Sequence, residues 1–431
     1  MSVGLQRLRD EPDLLRRAAI DKGEDPAVID RAIELDGRRR ALLAEGDTLK
    51  AERNASSKRV GEAIRASADP NGPEVAELKA ASSGVADRIG AIDDELGTVQ
   101  AELDDAMLRI PNPADPDVPV GGEEANVTVR TWGDPLPRDA RRPHWEIAEA
   151  LGIIDNARGA KITGSGWPVY VGDGSNLQRA LISWFLDVHT REHGMTEVWP
   201  PVLVNADSAR GTGQIPDKED QMYTVPRDDL YLVPTAEVPV TNLHRDEVLE
   251  ADALPIRYAA YSASFRREAG AAGRDTRGIL RVHQFDKVEL VSFVRPDESE
   301  AELELMTTHA ETLLQRLGLA YRVVLMATRE MGFVHARKYD IEVWAPGVER
   351  WLEVSSVSNF RDYQARRMSI RHRPKAGASP ELVHTLNGSA LALPRTVAAL
   401  LETHQRPDGS VTIPEVLRPF FGGRDRIGPR A

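Results

Sequence analysis

The chain has 431 residues, a formal net charge of −13, 41% hydrophobic residues and no cysteine. This length predicts two or three domains of about 100–200 residues, and the apolar content excludes wholesale disorder. The lack of cysteine excludes disulfides, thiolate metal sites and cysteine nucleophiles, while the net charge taken alone argues against a nucleic-acid binder. The N-terminus has no apolar signal segment and no stretch is long enough to span a membrane, so we expect a soluble, cytoplasmic protein without membrane partners.

Residues 1–110 carry the heptad pattern of a coiled coil and contain no Trp, Tyr or Phe. The pattern predicts two helices of about 30–40 residues, folded back as an antiparallel hairpin about 45–60 Å long. A turn at 67–73, with Pro70 and Pro73, separates them. The apolar positions of the pattern are Val28, Leu35, Leu42, Leu49, Val60 and Ile64, then Val75, Leu78, Val85, Ile89, Ile92, Leu96, Val99 and Leu103.

The heptads alone favour a scaffold or a dimerising coiled coil, because most such patterns are structural. A reaching arm is the alternative, supported by a run of basic residues on the first helix. A charge run is more often a solvated face, so this support is weak. The basic residues are Arg38, Arg39, Arg40, Lys50, Arg53, Lys58 and Arg59.

Four prolines between Ile110 and Pro119 cannot continue a helix, which places a domain boundary after residue 110. Residues 111–431 alternate helical and strand patterns and predict an α+β domain with an antiparallel sheet. They contain neither a dinucleotide-binding glycine motif nor a P-loop. Helices are expected at 144–152, 175–193, 297–317 and 390–404, and strands at 197–199, 230–233, 258–265, 287–294, 321–325, 339–344 and 351–357.

A strand, a glycine-rich loop and a second strand are predicted between Phe265 and Phe285. Arg266 and Glu268 are two apart, and Arg281 and Phe285 are four apart, so each pair is expected to share a face of its strand. One guanidinium group can bind two phosphate oxygens at once, and an aromatic ring can stack on a base. This face therefore suits a nucleotide. An exposed, salt-bridged hairpin is the alternative.

Four further groups combine acidic, hydroxyl or amide side chains in or beside predicted strands. Such side chains can bind an ammonium group, a small hydroxyl or Mg²⁺. A capped helix or a satisfied strand end is the alternative for each. The groups are Lys287-Val288-Glu289, Thr235-Ala236-Glu237-Val238-Pro239, Glu353-Val354-Ser355-Ser356 with Asn359, and Asn387-Gly388-Ser389 leading to Arg395.

Eight short sequence motifs and their order along the chain resemble those of the seryl-tRNA synthetases of the bacterial type, a family of class II aminoacyl-tRNA synthetases. The resemblance runs from the N-terminal hairpin almost to the end of the chain. The strings are 211–214 (GTGQ), 235–237 (TAE), 265–270 (FRREAG), 273–278 (GRDTRG), 283–289 (HQFDKVE), 339–342 (YDIE), 353–356 (EVSS) and 385–389 (TLNGS).

This resemblance implies an α+β fold: an N-terminal coiled-coil arm (1–110) that binds tRNA, and a class II catalytic domain (111–431) with an antiparallel sheet flanked by helices. It implies a homodimer that uses ATP, Mg²⁺ and L-serine to charge tRNA(Ser) and, where present, tRNA(Sec). An acidic protein can bind RNA through local basic groups, which resolves the conflict with the net charge. Pro201 would lie at the dimer interface, with a simple strand terminator as the alternative.

The resemblance also implies site residues, carried over by position. The catalytic residues would be Arg266, Glu268, Arg281 and Arg395. Serine would be bound by Thr235, Ala236, Glu237, Arg266, Glu289, Asn387 and Ser389, with Glu237 holding the ammonium and Glu289 accepting the hydroxyl proton. ATP would be bound by Arg266, Arg267, Glu268, Arg281, Val282, Phe285, Glu353, Val354, Ser355, Ser356 and Arg395, and Mg²⁺ by Glu353 and Ser356 through ATP.

Two positions depart from the family pattern. Pro394 stands where glycine is common, and is expected to aim Arg395 slightly differently. Arg267 stands where a small residue is usual, and strand alternation would turn it away from the nucleotide. Zinc is not expected, since cysteine is absent and no close His/Glu ligand spacing stands out.

Three other functions compete with tRNA charging. The chain could be a serine-activating relative that loads a carrier protein or feeds a biosynthetic pathway, although carrier-loading relatives would be expected to lack the arm. It could be a duplicate that tolerates a serine-mimicking inhibitor, which its motifs would not reveal. It could also be a non-enzymatic coiled-coil protein, which would leave the hairpin arginines unexplained.

Overall fold

The computed structural model describes residues 3–66, 72–250, 252–270 and 277–428, apart from the side chain of Glu74. Contacts divide the chain into two compact units, Met1–Ile20 with Glu24–Pro111 and Asp21–Gly23 with Asn112–Ala431. Sequence analysis did not anticipate that residues 21–23 belong with the second unit. No helix in the described ranges is long and apolar enough to cross a membrane.

The first unit is dominated by two long helices that pack along each other. They contain 40 and 36 residues, which corresponds to about 60 and 54 Å at 1.5 Å per residue. The two predicted helices are therefore confirmed, while most of the predicted turn, residues 67–71, lies outside the described residues. The helices are α1 (Leu5–Asp10), α2 (Pro12–Lys22), α3 (Ala27–Ala66) and α4 (Pro73–Leu108).

The seam between α3 and α4 is built from the predicted heptad positions. Leu35, Leu42, Ile92 and Leu103 are buried there, whereas Ile64, near the end of α3, is exposed. Burial of these apolar side chains is the main force that holds two helices together, because helix propensity alone contributes little.

Charged pairs flank the seam and account for part of the basic run on α3. Arg31 lies 2.5 Å from Glu102, Arg38 pairs with Glu95, and Lys50 lies 3.4 Å from Asp93. Arg40 contacts Asp36 on its own helix at 3.2 Å, and Arg39 donates to Gln100 at 2.7 Å. The pairs made by Arg31, Arg38 and Lys50 are largely exposed and contribute about 0–1 kcal/mol each. Arg53, Lys58 and Arg59 are also exposed, and none of them forms an ion pair with a described residue.

The second unit is organised around an eight-stranded sheet in the order β1-β11-β12-β13-β16-β10-β9-β4. Neighbouring strands are antiparallel, as predicted, except that β4 runs parallel to β9. The strands are β1 (Val127–Trp132), β2 (Ile154–Asp155), β3 (Val169–Tyr170), β4 (Thr196–Val198), β5 (Leu203–Asn205), β6 (Thr224–Val225), β7 (Leu230–Leu232), β8 (Val248–Leu249), β9 (Ile256–Phe265), β10 (Gln284–Val294), β11 (Tyr321–Leu325), β12 (Arg337–Ala345), β13 (Arg350–Asn359), β14 (Arg371–His372), β15 (Glu381–Leu382), β16 (His384–Ala392), β17 (Val411–Thr412) and β18 (Arg426–Ile427).

Helices α7, α10 and α13 pack against this sheet and close the main core. The helices of the unit are α5 (His144–Leu151), α6 (Asn156–Thr163), α7 (Asp173–Arg191), α8 (Ala206–Thr212), α9 (Glu237–Thr241), α10 (Ser299–Leu317), α11 (Thr328–Met331), α12 (Tyr363–Met368) and α13 (Leu393–His404). Short 3₁₀ helices lie at Glu123–Ala125, Glu219–Gln221, Asn242–His244, Pro296–Glu298 and Glu415–Phe421.

Strand β10 shows how alternation positions polar groups inside a buried sheet. Val288 and Leu290 point into the main core, while Val291 and Phe293 belong to a second apolar cluster on the opposite face. Lys287 and Glu289 share the face of Val291 and Phe293, because side chains repeat every two residues. The same face of β10 therefore carries the apolar residues Val291 and Phe293 and, a few residues earlier, the polar residues Lys287 and Glu289.

The largest error of the sequence analysis concerns β16. Helix 390–404 was predicted, but the helix begins at Leu393, and Ala390–Ala392 are the last residues of a strand that was missed. Its sequence, HTLNGSALA, is short of β-branched and aromatic residues, so local propensity did not indicate a strand. Pairing with β10 and β13 overrides that propensity.

Candidate active site

A cavity of about 480 Å³ opens beside β10, β13 and β16 in the second unit. It brings together nearly all the site residues predicted from sequence, although they come from separate strands, loops and helix ends. The predicted residues that line it are Thr235, Glu237, Arg266, Glu268, Arg281, Val282, Phe285, Glu289, Glu353, Val354, Ser355, Ser356, Asn387, Ser389 and Arg395.

Glu289 is a buried carboxylate on strand β10 that faces the cavity. It is 1% exposed, and its register places it opposite Ser389 on β16. Asn387 donates from Nδ2 to Oε1 of Glu289 at 3.1 Å. The Lys287 ammonium pairs with Oε2, but that oxygen accepts no well-aligned hydrogen bond from a described protein group. Oε2 therefore keeps acceptor capacity toward the cavity.

Glu237 is a second buried carboxylate on the cavity wall, at the start of α9 and 6% exposed. Its Oε1 accepts from Gln364 Nε2 at 2.7 Å, and Thr385 donates to Gln364 Oε1 at 2.8 Å. This chain of bonds fixes the orientation of the carboxyl group. Burial, and then the charge of Glu289, raise the pKa of Glu237 to about 7, although the bond from Gln364 acts in the opposite direction.

Arginine and aromatic side chains line the cavity near Pro234. The guanidinium carbon of Arg266 lies 5.1 Å from the ring centroid of Phe285, within the range of a cation–π contact. Its Nε donates to the Pro234 carbonyl at 3.4 Å. Arg281 and Glu268 form an ion pair at 2.5 Å. These contacts assemble the four residues that sequence analysis grouped together.

The geometric reason given for that grouping was wrong, however. Strand β9 ends at Phe265 and β10 begins at Gln284, so Arg266, Glu268 and Arg281 lie in the connection between them. Glu268 has a φ of +51°, a left-handed conformation that is uncommon for residues other than glycine. The turn of the backbone, and not a shared strand face, brings Glu268 to Arg281. Residues 271–276, most of the string at 273–278, lie outside the described residues.

Arg395 enters the cavity from the first turn of α13. It donates from Nη1 to the Glu353 carbonyl at 3.0 Å and from Nε to the Leu280 carbonyl at 3.2 Å. Pro394 is the second residue of that helix, where its fixed φ suits the helix and its missing N–H has no partner to lose. The first turn of α13 therefore accommodates Pro394, the residue that departs from the family pattern.

The Glu353 carboxylate faces the cavity beside two cations. Arg395 lies 3.5 Å from its Oε2. Burial alone would raise the pKa of Glu353, but the charges of Lys338 and Arg395 outweigh it and hold the pKa below its usual value. Asp340 accepts from Lys338 at 3.0 Å, and burial nevertheless raises the pKa of Asp340 to about 7. Glu353 is therefore ionised at neutral pH, whereas Asp340 is only partly ionised there.

Two predicted residues, Ala236 and Arg267, are not among the described residues that line the cavity. Ala236 is fully buried in the apolar cluster with Val291 and Phe293, so its side chain supports the wall without facing a ligand. Arg267 donates to the Asp220 carbonyl at 2.8 Å and is exposed. It is directed to Asp220 and is not among the residues that line the cavity, but strand alternation is not the reason, because β9 ends at Phe265.

Sequence reasoning missed several residues that line the cavity. Lys218, His335 and Lys338 had not been singled out, and Lys287 had been noted only beside Glu289. Lys218 and His335 lie outside helices and strands, where periodicity gives no signal. Gly213, in the matched string 211–214, has a φ of +86°, and a Cβ there would meet Val334 at 2.4 Å. A glycine is therefore required where this loop approaches the cavity wall.

Comparison with known proteins identifies the class of enzyme to which the second unit belongs. Residues 223–404 match the family model described as the tRNA synthetase class II core domain (G, H, P, S and T). The antiparallel sheet and the arginine-rich cavity define a class II aminoacyl-tRNA synthetase.

Residues 4–114 match the seryl-tRNA synthetase N-terminal domain. A serine–tRNA ligase of Thermomicrobium roseum is 54% identical over 99% of this chain and 95% of its own length. One of Gemmatimonas aurantiaca is 51% identical over 97% and 98%. The crystal structure of seryl-tRNA synthetase from Pyrococcus horikoshii complexed with ATP has a TM-score of 0.91 at 38% identity, covering 99% of this chain and 100% of its own. The chain belongs to the seryl-tRNA synthetase family.

Proposed function

We propose that the cavity joins L-serine to ATP as seryl-adenylate, and that the chain then transfers the seryl group to the 3′ end of tRNA(Ser). The observation that carries this proposal is the meeting of two groups in one cavity. Buried Glu237 and Glu289, with Asn387, form an acidic set, and Arg266, Arg281 and Arg395 form a cationic set beside Phe285. The acidic set suits an amino acid, and the cationic set suits a nucleoside triphosphate. By resemblance alone, tRNA(Sec) would be a further substrate where it is present.

Glu289 would select serine through its hydroxyl group. Its Oε1 accepts from Asn387, and its Oε2, which pairs with the Lys287 ammonium, has further acceptor capacity for the serine hydroxyl. Alanine would supply no donor to this buried carboxylate, and a site built to bond a hydroxyl rejects a substrate without it by about 10⁴–10⁵ in favourable cases. Glu237, held by Gln364, would receive the serine ammonium, while Thr235 and Ser389 complete the pocket wall.

The cationic set would bind and orient ATP. Arg266 would contact both the α-phosphate and the serine carboxylate, Arg281 the outer phosphates, and Phe285 the adenine. In this structure Arg266 lies over the Phe285 ring and Arg281 pairs with Glu268, so both guanidiniums must change partners when ATP enters. The serine carboxylate then attacks the α-phosphorus and pyrophosphate leaves. Positioning and charge stabilisation carry the reaction, with no covalent side-chain intermediate.

Glu353 and Ser356 would hold Mg²⁺ together with phosphate oxygens. Oxygen ligands suit this ion, and the lowered pKa of Glu353 keeps that carboxylate ionised in the cavity. Bound there, Mg²⁺ would neutralise phosphate charge.

We further propose a cytoplasmic homodimer in which the α3–α4 hairpin binds tRNA. Next to Pro201, an exposed apolar patch supports the dimer. Trp199 is 76% exposed, and Val202 and Leu203 are also exposed. Exposed apolar surface of this kind is typical of interaction sites, and a second copy of the chain would cover it. The Arg53, Lys58 and Arg59 side chains on α3 would meet tRNA phosphates.

Serine-dependent ATP–pyrophosphate exchange tests the activation step. The wild type should exchange with serine and only weakly with alanine or threonine. Glu289→Gln should lose most of the preference for serine over alanine, because the amide removes the charged acceptor. Glu349→Gln is the matched control, since this exposed glutamate pairs with Arg138 outside the cavity. Unchanged serine preference in a folded Glu289→Gln variant would overturn the assignment.

A further inference from the structure

Three histidines meet where α7 packs near α10, outside the cavity described above. His189 lies near the end of α7, His193 follows just beyond that end, and His309 lies within α10. The Nδ1 atoms of His189 and His193 are 3.0 Å apart. One ligand nitrogen from each of the three rings lies within 4.8 Å of the others. His189 is fully buried and His309 is 6% exposed, while His193 is half-buried and gives the cluster a path to solvent.

Only part of the hydrogen-bonding capacity of these rings is met by the protein, through the contact between His189 and His193. Nε2 of His189 and Nδ1 of His309 are buried and bond to no described protein group, although such groups are normally satisfied. The neighbouring carboxylates are already engaged. Glu192 pairs with Arg316 at 2.5 Å, and Glu302 pairs with Arg257 at 2.6 Å. No free carboxylate among the described neighbours therefore compensates a protonated imidazole.

The environment keeps all three rings in their neutral form. Burial, and then the neighbouring rings, hold the pKa of His189 well below its ordinary value. Burial lowers the pKa of His309 to about 4, and that of His193 is lowered mainly by burial. Neutral imidazole is the form that binds metal ions.

We propose that His189, His193 and His309 bind one divalent transition-metal ion of the zinc type through one nitrogen each. His189 and His193 are four apart in sequence, and although His193 lies past the end of α7, the chain there brings their Nδ1 atoms to 3.0 Å. Tetrahedral zinc with Zn–N distances of about 2.0–2.1 Å needs nitrogens about 3.3 Å apart. The Nδ1 atoms of His189 and His193 already approach this separation, and since the three ligand atoms lie within 4.8 Å of one another, His309 must close by at most about 1.5 Å. Water would take the fourth position.

Metal binding requires one rearrangement. The rings of His193 and His309 are stacked, with centroids 3.9 Å apart and planes 8° from parallel. Two parallel rings cannot both direct lone pairs at one ion, so one ring must rotate. His193 is the ring with room to do so, because it is half-buried and lies beyond the last residue of α7. Sequence analysis, which noted no close ligand spacing, overlooked the pair 189 and 193.

Cobalt titration of the full-length protein, purified without a polyhistidine tag and stripped with chelator, tests this site. The chain should bind one Co²⁺ with the visible absorption of tetrahedral nitrogen coordination, and Zn²⁺ should displace it. His309→Gln should weaken binding by at least about 100-fold, since even changes around a metal ligand cost 10–100-fold. His372→Gln, at another buried histidine, is the matched control and should bind as the wild type does.

Two further measurements separate metal binding from folding. His193→Asn changes a half-buried ring and should abolish the cobalt spectrum while leaving serine-dependent ATP–pyrophosphate exchange unchanged. Zinc should raise the midpoint of thermal unfolding of the wild type and not that of His193→Asn. The proposal is overturned if the wild type shows no tetrahedral cobalt spectrum, or if His193→Asn and His309→Gln bind cobalt as tightly as the wild type.

Discussion

Replacing Glu237 by glutamine should stabilise the protein at alkaline pH while it impairs serine binding. The folded state holds the pKa of Glu237 at about 7, above its reference value of 4.5. Folding therefore favours the protonated carboxyl, and the ionised form costs stability as pH rises from about 4.5 through about 7. The difference corresponds to about 3 kcal/mol above pH 7. Glutamine removes that cost, and its amide oxygen can still accept from Gln364.

The free energy of unfolding, measured by denaturant titration from pH 5 to pH 8.5, checks this prediction. The stability of Glu237→Gln relative to the wild type should rise by about 2.5 kcal/mol between pH 5 and pH 8.5. Glu302→Gln is the matched control, because this buried glutamate accepts two hydrogen bonds from Arg257. Losing that charge should destabilise by about 1–3 kcal/mol. A Glu237→Gln variant whose stability relative to the wild type does not change with pH would refute the reasoning.

Three more predictions follow from the site, the arm and the exposed patch. Arg266→Ala should abolish serine-dependent ATP–pyrophosphate exchange with an unchanged circular dichroism spectrum, and near-normal exchange in the folded variant would contradict its role. Deleting residues 27–108 should spare that exchange and remove tRNA charging; charging at a normal KM for tRNA would count against the arm. Trp199→Glu should shift the mass measured by light scattering from dimer to monomer, and an unchanged mass would place the interface elsewhere.

The elements with strong periodicity were predictable from sequence. The heptads that predicted the hairpin appear as α3 and α4, and most predicted strands of the sheet lie within a few residues of their observed bounds. Periodicity reports burial on one face, which is why these elements were visible. Strand β16 was not visible, because its Ala-Leu-Ala end has helical propensity and its pairing with β10 and β13 makes it a strand.

The site was predictable where motif strings carried it and not where the loops determine it. Glu289 and Asn387 were proposed from sequence, but their hydrogen bond depends on the register of β10 against β16. Lys218 and His335 reach the cavity from segments without regular structure, so neither spacing nor alternation indicated them. Gln364 was missed for a different reason, because it acts through Glu237 and does not line the cavity.

The central claim is that this chain attaches serine to tRNA. Charging of total tRNA with labelled serine, ATP and Mg²⁺, with threonine and alanine as controls, tests that claim most directly. The account predicts ATP-dependent label on tRNA with serine and almost none with the other two amino acids. Absence of label on tRNA, from a folded protein that still exchanges pyrophosphate with serine, would contradict the account and favour transfer of serine to a carrier protein.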